Sequence, residues 1–164
     1  MAGDVVVTRR VDDPGAAVPQ RGSDAASVAG FRAWLGSVDV AGLSDAERVE
    51  LVGELERVKG AVSAVQARAV DALRCSHEQG AAGRSGGAGR SVGSMVALAR
   101  RESPSLGDRF VGVARAVVHE MPVTMAALTD GVVGERHVVA MVAATACLSR
   151  QDREIGRASC RERV

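Results

Sequence analysis

The sequence predicts an all-α fold: a long helix toward the N-terminus, then a bundle of shorter helices, with a flexible tail at each end. Three observations predict it. From 98 to 148 the apolar residues keep helical spacing between recognisable start and stop signals. Upstream, an aliphatic stripe repeats with heptad spacing from Leu51 to Ala72. Finally, Phe31, Trp34 and Phe110 are the only aromatic residues in the chain. A core must therefore come from Val, Leu, Ala and Met, which suits close helix packing better than a β-sandwich.

The first thirty residues are rich in Gly, Ala, Asp and Ser, carry Pro14 and Pro19, and show no sustained apolar period. They read as a disordered tail, and residues 31–153 as the helical domain. Phe31, Trp34 and Leu35 then have the i, i+3, i+4 spacing of a short helix that would pin the only tryptophan onto the domain. Ser44 and Glu47 form a capping box: each side chain can satisfy the other residue's backbone amide. A long helix is expected to start there and to reach Leu73. Along it Leu51, Val58, Val65 and Ala72 repeat at one heptad position and Leu55, Val62 and Ala69 at its partner. That stripe is expected to bury against the chain's own domain rather than to form a free-standing coiled coil. Gly53 and Gly60 lie off the stripe and each weaken the helix by about 1 kcal/mol relative to alanine, so tertiary packing must hold it.

From Gly80 to Gly93 the glycines are dense enough to predict a flexible connection. Bare amides can approach phosphate closely, but no Gly-x-Gly-x-x-Gly stands in register and the lysine of a phosphate-binding loop is missing. Ser91 or Ser94 can cap a helix holding Val92, Met95, Val96 and Ala99, which ends at Arg100 and Arg101. Ser103-Pro104 starts the next, with Phe110, Val113, Ala114, Val117, Val118 and Met121 on one face. Pro122 stops it. Thr124 is then expected to cap a short helix carrying Met125 and Leu128, Gly131 to provide its exit, and Val138, Met141, Val142 and Thr145 to mark a last helix.

Chemistry is sparse. The formal net charge is +1, so the chain is no polycation that would coat nucleic acid. Its distribution is uneven. Between Asp39 and Arg57 six acids outnumber two arginines, whereas Arg84, Arg90, Arg100, Arg101, Arg109 and Arg115 face few acids. Solvated helix faces of opposite bias give the plainer account, and a phosphate-binding patch the sharper one. His77, His119 and His137 stand isolated on helical segments without acids at ligand spacing. Cys75 and Cys147 are too few and too distant to suggest a metal site or a disulfide framework. No Gly-x-Ser-x-Gly occurs. Reduced cysteines, the lack of a leader pattern and the shortness of the longest apolar run predict a cytoplasmic protein with no membrane partner.

The run Leu98-Ala-Arg-Arg-Glu-Ser-Pro104, followed by Glu120-Met-Pro122, Ala127-Leu128, Gly131 and Thr145-Ala-Cys-Leu-Ser149, resembles the actinobacterial domain of unknown function numbered two hundred and twenty-two. This is also called the thirteen-E-twelve repeat family. The match extends more loosely back to Phe31, and it departs at Arg136 to Ala144, which is more apolar than the family's mixed charged helix. Such domains commonly precede an HNH endonuclease. The resemblance therefore implies the N-terminal helical module of an HNH endonuclease-like protein, carrying no catalytic motif itself and positioning the nuclease on DNA. Arg84, Arg90, Arg100, Arg101, Arg109 and Arg115 are the candidate phosphate contacts. No cofactor is expected in these residues, and a divalent metal only in the HNH module. The alternative is a non-catalytic interaction or dimerisation domain whose helix from Ser44 pairs with another copy or with the missing C-terminal part. From Glu154 the string EIGRASCRERV resembles a one-frame translation of a sequencing-library adapter. The natural chain is accordingly expected to continue past Arg153.

Overall fold

The structure, a computed structural model, describes residues 24–81 and 91–148. Among them are six helices and no strand: α1 (Asp24–Leu35), α2 (Asp45–Ala81), α3 (Val92–Arg100), α4 (Pro104–Glu120), α5 (Pro122–Thr129) and α6 (Glu135–Ala144). The fold is all-α, although the long helix is the second and not the first. None of the described helices is long and apolar enough by itself to cross a membrane. The predicted N-terminal tail up to residue 23, Arg84, Arg90 and the adapter-like string lie outside the described residues.

The chain divides at Ser44 into two compact units. In the first, α1 starts at Asp24, so part of the segment assigned to the tail is helical. Phe31 and Trp34 stack with centroids 5.6 Å apart, and Trp34 remains 58% exposed. The tryptophan is thus covered by its own helical neighbour rather than buried.

The second unit is built around α2, which begins where the capping box sets it and continues past Leu73 to Ala81. Gly80, assigned to a loop, is helical. Gly60, Ser63, Ala64, Ala67 and Asp71 are buried along one side and pack against α4, α5 and α6. These residues are small, and their size is the reason they are inside. A Cβ on Gly60 would meet the Val133 carbonyl oxygen at 2.8 Å and the Leu128 carbonyl oxygen at 3.2 Å. The aliphatic stripe expected to do this packing lies instead about 180° round the helix. Val62 and Val65 on it are 46% and 54% exposed. Two faces of one helix carried regular spacing, and close backbone approach selected the small-residue face over the bulky one.

Ser91 caps α3, its hydroxyl accepting from the Ser94 amide at 3.1 Å, and Arg101 closes it in the left-handed region at φ 59°. α3 lies along α4 with Gly107 against the Gly93 carbonyl, a contact that leaves no room for a side chain. Pro104 opens α4, whose Phe110, Val113, Ala114 and Val117 are buried as its spacing predicts. Pro122 does more than stop α4, for it is also the first residue of α5, and the two axes meet at 106°. Thr124 consequently sits inside α5 and is buried, so it is not the cap. Gly131 takes φ +69° at the exit. In α6, Val138 is 1% exposed and joins Ala64, Val117, Met121 and Leu128 in the core, while Met141 on the predicted inner face is 41% exposed.

Candidate functional site

The four candidate arginines among the described residues, Arg100, Arg101, Arg109 and Arg115, do not share one environment. Arg100, 16% exposed at its side chain, turns inward from the end of α3. Its Nη2 donates to Glu135 Oε1 at 2.7 Å and to Glu102 Oε1 at 3.3 Å, its Nη1 donates to Gln66 Oε1 at 2.8 Å, and its guanidinium carbon lies 3.9 Å over the Phe110 ring. One side chain thereby ties α3 to α2, α4 and α6. Arg101, Arg109 and Arg115 are exposed. Arg109 borders a shallow pocket of about 120 Å³ beside Arg100, Glu102 and Glu135, in which acids balance bases. Arg115 lies on another side of α4, since six residues carry it about 240° round the helix. Across the described residues of α2 to α6 and their connections, ten Arg and Lys face twelve Asp and Glu.

A second cluster joins residues that looked unrelated in sequence. Asp71 of α2 is 8% exposed at its side chain, and His119 of α4 brings Nε2 to 2.7 Å from its Oδ2. Arg74 donates to Asp71 Oδ1 from Nη2 at 2.8 Å and from Nε at 3.1 Å, to Glu78 at 2.7 Å, and to the Cys75 sulfur at 3.2 Å. Burial pushes the Asp71 carboxyl up, but hydrogen bonds from Arg74 and His119 outweigh it and hold the group below the usual carboxylate range. The same bond to Asp71 raises the Arg74 guanidinium above its ordinary value. His119 is therefore not isolated. Its partner stands 48 positions away, a separation that local motif spacing cannot reveal. His77 and His137 are exposed.

Asp71, Cys75 and His119 place donor atoms within 4.8 Å of one another, which raises the question of a metal. The donor set fits one poorly. The Arg74 guanidinium touches two of the three ligands, and a divalent ion would sit against that fixed positive charge. The cluster is an ion-pair network that fastens α4 to α2.

The third feature is the outward side of α2. From Leu51 to Ala72 it presents seven aliphatic positions in heptad order, with Leu51, Leu55 and Val58 half-buried and Val62, Val65, Ala69 and Ala72 exposed. Beside its C-terminal half runs an apolar groove of about 230 Å³, lined by Ala69, Leu73, Met95, Val96 and Ala99. No nucleophile or base points into this surface among the residues that line the groove. What it offers chemically is apolar area, arranged with the period of a helix partner. Spacing alone found the stripe; it could not tell which side of α2 the domain would use. Compared with protein-family models, with curated proteins and with solved structures, the chain matches none.

Proposed function

We propose that this chain is a non-catalytic association module that joins two polypeptides through the outward aliphatic face of α2. The observation that carries the reading is the heptad stripe about 180° away from the face that α2 buries in its own bundle. A helix with two apolar faces can fill one from within its domain and one from outside it. On the family resemblance, the module so joined belongs to an HNH endonuclease-like protein, which it would bring together in two copies. Light scattering of the full chain is expected to give a dimer. Replacing Val62 and Val65 together with glutamate should weaken that dimer at least about 100-fold, because each valine carries about 1.5 kcal/mol of burial and each tenfold in affinity is about 1.4 kcal/mol. The helical circular dichroism should not change, as neither side chain is in the core. A monomer at all concentrations overturns the proposal.

A second reading, that the module positions the nuclease on DNA, is favoured by the exposure of Arg101, Arg109 and Arg115. Each of these changed to alanine should lower the salt dependence of DNA binding by about one unit of slope. Arg100→Ala should behave differently, costing about 2 kcal/mol of folding stability through the loss of charge-assisted bonds to Glu102 and Glu135. A band-shift titration beside a urea melt separates the two kinds of arginine. Undetectable binding at low salt removes the DNA reading.

A further inference from the structure

We propose that the second copy lies antiparallel on α2, with Leu51 of one chain packed against Ala69 of the other. The inference rests on the association reading above and adds to it the direction and register of the partner. Bulk along the stripe decides the direction. Leu51 and Leu55 stand at its N-terminal end and Ala69 and Ala72 at its C-terminal end, with valines between.

In a parallel pair each residue meets its own copy. Leucine would lie on leucine at one end and alanine on alanine at the other, so the helices would splay or leave voids, and interiors tolerate neither. Reversing one helix pairs Leu51 with Ala69, Leu55 with Val65 and Val58 with Val62, which makes these layers similar in volume and leaves Ala72 at the edge, opposite Arg48.

The groove beside the stripe points the same way. It lies at the thin end, along Ala69 and Leu73. An antiparallel partner brings its Leu51 and its 60% exposed Val52 to this hollow, whereas a parallel partner would bring Ala69 and Ala72 from its own stripe.

Charge at the flanks agrees. The reversed register sets Glu54 of each chain, whose Oε1 accepts from Arg57 of its own helix at 2.6 Å, opposite Arg68 of the other, and Arg68 has no acidic partner among the described residues. Lys59 of the two copies would approach near the twofold axis. Its ammonium is already held by Glu56 at 2.7 Å in its own helix, so that approach is neutralised.

The test is a distance measurement by pulsed electron spin resonance on the full chain with Cys75, Cys147 and Cys160 replaced by serine, in two separate variants, Val49→Cys and Lys59→Cys, each spin-labelled. Val49 is 73% exposed and off the seam. Antiparallel pairing puts the labels at 49 about 30–35 Å apart along the axis, because residue 49 then lies level with residue 71, and those at 59 within about 20 Å. Short distances at both sites overturn the antiparallel arrangement while leaving association intact. Long distances at both overturn the register. No intermolecular coupling at either, with a monomer by light scattering, overturns association itself.

Discussion

Gly131→Val is expected to remove about 2–6 kcal/mol of folding stability and leave the α2–α6 unit largely unfolded well below the melting temperature of the parent chain. Two costs coincide at this position. Its φ of +69° is one that a β-branched residue adopts only with strain of about 1–3 kcal/mol. A Cβ there would also collide with the Arg57 carbonyl oxygen and come within 2.5 Å of the Arg57 Cα. That obstacle is the backbone of α2, so it cannot swing aside, and forcing it apart adds about 1–3 kcal/mol more. The turn after α5 would have to lift from α2, taking Leu128, 2% exposed, out of the core. Domains of this kind hold only about 5–15 kcal/mol in total. Gly53→Ala is the matched control. Nothing lies within 4 Å of a Cβ at that position, so the change should be neutral or stabilise α2 by up to about 1 kcal/mol. Thermal and urea melts of the two variants, followed by circular dichroism, read the contrast directly. A Gly131→Val chain that melts within a few degrees of the parent would mean that α5 does not seat against α2.

The different fates of Gly131 and Gly60 show what could be read before the structure. Start and stop signals are local physics, and Ser91, Pro104, Pro122 and Gly131 all mark helix boundaries within a residue or so of where their chemistry puts them. The spacing of Phe110, Val113, Ala114 and Val117 likewise specified the buried side of α4. On α2 the same reasoning failed in an instructive way. Helical period shows that a face exists, but it ranks faces by side-chain bulk, and Gly60 is buried because it is small enough to admit the backbone of α5 and of the turn after it, with Ala64 and Ala67 on the same face. The bulky stripe was legible as a stripe, and its destination was not. The inward turn of Arg100 escaped the sequence for another reason. Charge counted along the chain takes no account of Glu135, which arrives 35 positions after Arg100 and draws it inward. Long-range pairing of that kind also hid His119 from Asp71.

Asp71→Asn should cost about 3 kcal/mol at neutral pH, because it breaks a buried ion pair and leaves the 17% exposed Arg74 facing an amide. Arg74 keeps Glu78 as a partner, which places the loss at the lower end for such a change. The parent chain should carry the same interaction as a pH dependence, and its sign follows from the direction of the shift. Asp71 is held below its ordinary pKa in the folded state, so the unfolded chain takes up the proton first as pH falls. The stabilisation is thus fully present above about pH 4 and is lost as pH drops from there through the lower folded value. Arg74, His119, Cys75 and Glu78 all face the carboxylate or its guanidinium partner, and the Arg74 guanidinium keeps its charge throughout that window. Urea midpoints measured from pH 7 to pH 3 should therefore fall more steeply in the parent than in the Asp71→Asn chain, which starts lower and has less to lose. Parallel curves for the two would show that the carboxylate is solvated like any surface acid, and that α2 and α4 are held together by the apolar contacts of Ala64, Ala67, Ala114 and Val117 alone.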